Sequence, residues 1–158
     1  MLSVEERLVQ ALAEMGLTVS SAESCTGGMI ASRIIDVPGA SDVYYEGFIT
    51  YSNEAKMKYL NLSEDILEKY GAVSQEVVKE MAVGCRRATG CDVSIVTSGI
   101  AGPGGGSMEK PVGLVYIACA YKEEVLVSCF NFEGDRTQIR KQATDEAIKM
   151  AMDLLENH

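Results

Sequence analysis

The stretch LTVSSAESCTGGMIASRII, residues 17–35, passes from a short apolar segment through a polar turn into a second apolar segment. Residues 17–22 predict a strand, and residues 26–35 predict a helix that ends before Pro38. The polar turn between them contains Ser24. Because a strand followed by a helix is the repeating unit of α/β proteins, this stretch predicts an α/β fold.

The rest of the chain continues the alternation and then adds a hairpin. The other predicted elements are helices over residues 3–15, 53–59, 63–70, 74–89 and from 135 onward, and strands over residues 43–51, 92–98, 112–120 and 125–132. The last two strands pair as a hairpin, so the sheet is expected to be mixed. We predict a single domain over residues 1–158 with the architecture of a three-layer α/β/α sandwich on a mixed sheet.

Composition restricts the class of partner. The chain has 158 residues, a net charge of −9 and 47% apolar residues, and its isoelectric point is about 4.6. Such an acidic chain is not expected to bind nucleic acid, which requires a basic face. Binding of an anionic small molecule is still compatible with this net charge, because a few backbone amides and one or two cations can hold a phosphate.

The chain also carries no sign of export or membrane insertion. No apolar run reaches the length of about 18 residues that a spanning helix needs, and the acidic N-terminal segment is typical of a helix and not of a signal peptide. Five cysteines are present without a CxxC pair. We therefore expect a cytoplasmic protein with reduced thiols and no membrane partner.

The first candidate site segment is AESCTGG, residues 22–28. Ser24 lies at the turn between the predicted strand and helix, and the amides of the next four residues, Cys25, Thr26, Gly27 and Gly28, are expected to be free donors at the helix N-terminus. Such donors can hold a phosphate or a developing oxyanion. Alternatively, Ser24 or Thr26 serves only as the helix N-cap, and the glycines ease packing.

The second segment is YSNEAK, residues 51–56. Lys56 falls in the first turn of a predicted helix, where the helix dipole disfavours a charged amine and lowers its pKa, and burial would lower that pKa further. A neutral lysine can act as the base for a serine hydroxyl, and Tyr51 could assist the proton transfer. The alternative is a solvated lysine and a tyrosine of the core.

The third segment, SGIAGPGGG at residues 98–106, follows a predicted strand. It lacks the Gly-Lys-Ser/Thr ending of a nucleotide-hydrolase phosphate loop, and a proline interrupts any dinucleotide fingerprint. Its backbone amides could still line a pocket, although a flexible linker is the alternative. A histidine-dependent serine or cysteine site is disfavoured because the single histidine is the terminal His158. No ligand spacing indicates a zinc site.

Six segments in this order resemble the CinA C-terminal domain family, whose active members hydrolyse nicotinamide mononucleotide. The segments are AESCTGG (22–28), YSNEAK (51–56), GAVS (71–74), GIAGPGGG (99–106), KPVG (110–113) and GDRTQIR (134–140). The resemblance implies hydrolysis of the carboxamide to nicotinate mononucleotide and ammonia, within pyridine nucleotide recycling. It also implies Ser24 as the nucleophile, Lys56 as the base with Tyr51 beside it, and no metal or cofactor.

The expected substrate contacts follow from the same segments. They are Cys25, Thr26, Gly27, Gly28, Ser98, Gly102, Gly104, Gly105 and Arg140, with Arg136 and Lys110 as further candidates for the phosphate. Ser98 departs from the family, in which a threonine is common at this position. Two alternatives stay open: an inactive homologue that only binds the nucleotide, and a hydrolase that uses Cys25.

The resemblance also bears on assembly. In larger family members this domain follows an N-terminal domain, whereas here we expect it to stand alone. Because small α/β enzymes commonly associate, we expect a homodimer or a higher homo-oligomer.

Overall fold

A five-stranded mixed sheet forms the middle layer of the protein in a computed structural model that describes residues 1–158. The strands are β1 (Val19–Glu23), β2 (Phe48–Ile49), β3 (Val93–Gly99), β4 (Leu114–Tyr121) and β5 (Glu124–Asn131). They are ordered β2-β1-β3-β4-β5. β1 is parallel to both β2 and β3, whereas β3, β4 and β5 pair antiparallel.

Six helices cover the two faces of this sheet. They are α1 (Val4–Met15), α2 (Met29–Ile35), α3 (Asn53–Leu60), α4 (Glu64–Tyr70), α5 (Gln75–Thr89) and α6 (Arg136–Glu156). α1, α2 and α6 bury their apolar residues against one face, and α3, α4 and α5 bury theirs against the other. The predicted three-layer α/β/α sandwich on a mixed sheet is therefore confirmed.

Local capping explains why most helices begin where the sequence predicts. Ser3 and Glu6 form a capping box at α1, and Asp135 and Gln138 form one at α6. Ser74 accepts the hydrogen bond of a first-turn amide at α5. These side chains satisfy donors that a helix cannot satisfy itself. No helix in the structure is both long enough and apolar enough to cross a membrane.

The predicted strand over residues 43–51 is wrong in most of its length. Only Phe48–Ile49 pair as β2, and Tyr44 makes one isolated bridge to Val19. Side chains anchor the rest of this segment instead of a ladder: the Tyr44 hydroxyl lies 2.9 Å from Ser21 Oγ. A Cβ on Gly47 would overlap that tyrosine hydroxyl. Of the aromatic residues in this segment, Tyr44 and Phe48 pack against the core, whereas Tyr45 and Tyr51 are exposed.

The helix predicted from residue 26 begins later, at Met29. Gly27 has a φ of 57° and Gly28 a φ of 103°, a left-handed backbone that cannot be part of a right-handed helix and that glycine adopts readily. Residues 24–28 therefore form a turn between β1 and α2. We call these five residues the nucleophile turn.

The topology brings the candidate segments together. Because β1, β2 and β3 are parallel, their carboxyl ends lie at one edge of the sheet. The chain leaves these strands at Ser24, Thr50 and Ile100, so the three segments singled out in the sequence meet there. This edge is where ligands bind in open α/β sheets.

Candidate active site

A buried lysine contacts the hydroxyl of the nucleophile turn. Lys56 Nζ lies 3.3 Å from Ser24 Oγ and donates to the carbonyl oxygen of Thr50 at 2.9 Å. Only 1% of the Lys56 surface is exposed to solvent. Lys56 and Leu60 are four residues apart on α3, so they share the helix face that packs toward α5. The packing of α3 against α5 thus places the lysine amine next to the serine hydroxyl.

Burial changes the acid–base chemistry of this amine. Desolvation lowers the pKa of Lys56 to about 8, against smaller opposing effects of Cys25 and the Glu54 carboxylate. Much of the amine is therefore neutral at mildly alkaline pH. A neutral amine keeps two N–H donors and one lone pair. One donor can stay on the Thr50 carbonyl while the lone pair accepts the proton of Ser24, as general-base catalysis requires.

A cleft of about 250 Å³ opens above this pair. It is lined by Ser24, Cys25, Tyr51, Asn53, Lys56, Ala72, Val73, Ser98, Gly99, Ala101 and Arg136. A second cavity of about 270 Å³ lies at the opposite end of β1, next to Thr18 and Cys91. Only the first contains a hydroxyl with a basic group in contact, so the chemistry and not the volume identifies the candidate site.

Tyr51 lines the cleft but makes no hydrogen bond to Ser24 or Lys56. Its hydroxyl is 3.0 Å from Arg136 Nη2, and the residue is 62% exposed. Arg136 Nη1 also donates to the carbonyl oxygen of Gly102 at 2.9 Å. Tyr51 and Arg136 thus connect the chain after β2 to the glycine-rich loop, and a direct proton relay through Tyr51 has no support in this geometry.

Glu23 is the residue of this region that sequence reasoning missed. It is 1% exposed, and its two carboxylate oxygens accept the amides of Ile30 and Ala31 at 2.9 and 3.0 Å. The N-terminal amides of α2 are therefore already occupied by a side chain of the protein. Its role could not be predicted, because the helix was expected to begin at residue 26, and only the structure shows that Gly28, which has no capping side chain, stands before the first residue of α2.

The amides that remain available belong to the nucleophile turn itself. Gly27 N–H donates to the Ser24 carbonyl at 3.1 Å, whereas the amides of Cys25, Thr26 and Gly28 meet no acceptor within the protein. Cys25 also lines the cleft, next to Ser24. Its amide is thus a suitable donor to an oxyanion formed at the serine.

Arg140 lies against the turn and not along the cleft. Its Nε donates to the Cys25 carbonyl at 2.8 Å and its Nη2 to the Thr26 carbonyl at 3.2 Å. A Cβ on Gly27 would come within 3.1 Å of the same Nη2, so glycine allows the guanidinium its close approach. In a trans peptide the N–H points opposite the C=O, so Arg140 also fixes the direction of the Thr26 amide.

The predicted contacts of the glycine-rich loop divide into two groups. Ser98 is buried and lines the cleft, and Gly102 reaches it indirectly through Arg136. Gly104 and Gly105 are exposed and lie outside the cleft lining. Lys110 Nζ donates to the Tyr70 carbonyl at 2.6 Å and thereby ties this loop to the end of α4.

The thiol next to Ser24 is poorly suited to be the nucleophile. Burial raises the pKa of Cys25 to about 11, and the residue is 5% exposed. We expect Cys25 to resist alkylation by iodoacetamide at pH 7.5, because the thiolate is the reactive form. Peptide mass spectrometry should find the exposed Cys129 modified first. Preferential modification of Cys25 would contradict this prediction and support a cysteine hydrolase.

Known proteins resemble this chain over nearly its whole length. Residues 1–155 match the model of the CinA C-terminal domain. A protein of Clostridium beijerinckii that is named competence-damage inducible is 51% identical over 98% of this chain. A CinA-like protein of Fusobacterium nucleatum is 51% identical over 91% of it. The chain spans 38% and 35% of the length of these two relatives.

Solved structures give the same result. The competence/damage inducible protein of Agrobacterium tumefaciens superposes with a TM-score of 0.93 at 38% identity, covering 97% of this chain and 93% of that one. A CinA superfamily protein of Escherichia coli gives a TM-score of 0.90 at 36% identity, covering 96% and 87%. Sequence and structure together show that the chain belongs to the CinA C-terminal domain family.

Proposed function

We propose that the protein is an amidohydrolase in which Ser24 attacks a carboxamide and Lys56 acts as the base. The observation that carries this proposal is the 3.3 Å contact between Lys56 Nζ and Ser24 Oγ at a site where the lysine is 1% exposed. A buried lysine with a pKa of about 8 can exist as the free amine. Nucleophilic catalysis by serine needs such a base within hydrogen-bond reach.

The proposed reaction needs only groups that line the cleft. Lys56 takes the proton of Ser24, and Oγ forms a bond to the amide carbon while the carbonyl π pair moves to oxygen. The Cys25 amide donates to this oxyanion. When the tetrahedral intermediate collapses, the C–N bond breaks and Lys56 returns the proton to the leaving ammonia. Lys56 then takes a proton from water as the water oxygen bonds to the acyl carbon, and it returns this proton to Ser24 Oγ when the bond between Oγ and the acyl carbon breaks.

Nicotinamide mononucleotide is the substrate that we propose for this site, on the strength of membership in the CinA C-terminal domain family. The cleft volume of about 250 Å³ is below the range of about 300–1,000 Å³ for pockets that enclose a whole ligand. The pyridine carboxamide would therefore occupy the cleft, while the phosphate lies at its mouth. Arg136 lines the cleft and is exposed, so it is the cation that we propose for the phosphate.

Ammonia release from nicotinamide mononucleotide tests the proposal. We expect the Ser24→Ala variant to lose at least about a thousandfold in kcat, as serine hydrolases do when the nucleophile is removed. Ser41→Ala is the matched control, because Ser41 is exposed on the turn Ala40–Asp42, away from the cleft. An undiminished rate in Ser24→Ala would refute the role of this serine. Thermal stabilisation by the nucleotide without any ammonia would favour a non-catalytic nucleotide-binding domain.

A further inference from the structure

We propose that Glu23 is the positioning residue of the nucleophile turn: its buried carboxylate holds the turn in the one arrangement that presents Ser24 and the Cys25 amide to a carbonyl group. This proposal rests on the proposed function only in taking Ser24 as the nucleophile. It does not depend on which carboxamide is hydrolysed. Glu23 touches no substrate in this view and acts entirely through the backbone that follows it.

Four donors converge on this carboxylate. Oε1 accepts from Thr26 Oγ1 at 2.7 Å and from the amide of Ile30 at 2.9 Å, and Oε2 accepts from the amide of Ala31 at 3.0 Å and from Ser21 Oγ at 3.2 Å. A buried carboxylate is costly unless such bonds compensate for lost water. Three of the donors belong to the turn and to the start of α2, whereas Ser21 lies on β1, behind the turn. The single side chain therefore fixes how the turn enters α2.

The hydrogen bonds extend from Glu23 to the neighbouring strand and back to the nucleophile. Thr26 Oγ1, which donates to Glu23, also lies 2.9 Å from Thr97 Oγ1 on β3. The carbonyl of Thr97 in turn accepts the amide of Ser24 at 3.2 Å. The peptide group that joins Glu23 to Ser24 is thus fixed to β3 by Thr97. Arg140 holds the carbonyls of Cys25 and Thr26 in the same turn.

This arrangement matters for rate because acyl transfer depends on position. A displacement of about 1 Å at the reacting groups can cost about a hundredfold in rate. Without an acceptor at Glu23, the amides of Ile30 and Ala31 would be buried without partners, and the turn would have to move to satisfy them. Such a movement would separate Ser24 from Lys56 and turn the Cys25 amide away from the oxyanion position.

The test is the Glu23→Gln variant, which keeps the size of the side chain. Its NH₂ group cannot accept a hydrogen bond, so it cannot serve both amides of α2 as the carboxylate does. We expect kcat for ammonia release to fall about a hundredfold, while KM stays within about threefold, since the change acts on the transition state. We expect the rate of Ser24 phosphonylation by a fluorophosphonate, followed by intact-protein mass spectrometry, to fall by a similar factor.

Ser21→Ala is the matched control. It also removes one hydrogen bond from the Glu23 carboxylate, but on the sheet side and away from the turn. We expect its kcat and labelling rate to stay within about threefold of the unmodified protein. If Ser21→Ala loses as much as Glu23→Gln, the effect is general destabilisation and the proposal is overturned. Full kcat and full labelling in Glu23→Gln overturn it as well.

Two further measurements keep the result unambiguous. If Glu23→Gln does not fold, Thr26→Val removes the hydrogen bond that the turn itself donates to the carboxylate; an unchanged labelling rate there overturns the proposal. If the unmodified protein is labelled at Ser24 but releases no ammonia, the proposed substrate fails, and the labelling ratio still decides the role of Glu23. Absence of labelling in the unmodified protein also overturns the proposal, because no activated serine would exist to be positioned.

Discussion

Replacing Lys56 by methionine should remove turnover and, at pH 7, raise the free energy of unfolding. The lysine is 1% exposed, and burial lowers its pKa from the usual 10.5 to about 8. Keeping it protonated inside the folded protein at pH 7 therefore costs about 3 kcal/mol. Methionine fills a similar volume without charge, but the Thr50 carbonyl then loses its donor. We expect a net gain of about 1–2 kcal/mol.

The activity and the stability of this variant are expected to change in opposite directions. The rate of ammonia release should fall at least about a thousandfold because the base is gone, while urea denaturation at pH 7 should shift to higher denaturant concentration. Lys58→Met on the same helix is the control, since Lys58 is exposed and should change neither quantity by much. A less stable Lys56→Met variant would show that the lysine is retained as a structural anchor.

The pH dependence gives an independent check on the same group. The pKa of Lys56 is lower in the folded state than in the unfolded chain. Below about pH 8 both states bind the proton, and between about pH 8 and 10.5 only the unfolded state does. The contribution of Lys56 to stability therefore rises with pH across that window. Lys56→Met should lack this rise, and kcat/KM of the unmodified protein should increase with pH and level off above about 8.

The sequence is most informative where a local rule determines the structure. The capping residues Ser3 and Asp135 set the starts of two helices without help from distant contacts. The serine and lysine of the candidate site were also predictable, because each follows a strand and the parallel strands end at one edge of the sheet. Their contact needs no more than the packing of α3 on the sheet.

Contacts that depend on tertiary packing could not be predicted from the local sequence. No role was predicted for Glu23, and only the fold shows that it caps α2 from the strand. Tyr51 is two residues from the end of β2, yet its hydroxyl turns to Arg136, which lies on the distant helix α6. Arg140 was expected at a phosphate, whereas two of its donors hold carbonyls of the nucleophile turn. In each case the partner is remote in sequence.

Replacing Gly84 inside α5 is expected to change both stability and rate, because this glycine lets α5 and α3 approach each other closely. A Cβ on Gly84 would overlap the carbonyl oxygen of Leu60, at the end of α3, and lie 3.2 Å from the Leu60 Cβ. Alanine would improve the helix propensity of α5 by about 1 kcal/mol. The overlap is with backbone that cannot rotate away, so overpacking, which typically costs about 1–3 kcal/mol, should prevail. α3 also carries Lys56, so the base would move with it.

We therefore expect Gly84→Ala to lower the free energy of unfolding by up to about 2 kcal/mol and kcat by about tenfold, because a shift of α3 lengthens the contact from Lys56 to Ser24. Chemical denaturation and ammonia release measure the two effects. Gly104→Ala is the stability control, since its Cβ would meet open space and should change the free energy of unfolding by less than about 0.5 kcal/mol. A Gly84→Ala variant as stable as the unmodified protein would mean that α3 can slide freely on α5, and the fixed distance between Lys56 and Ser24 would then need another cause.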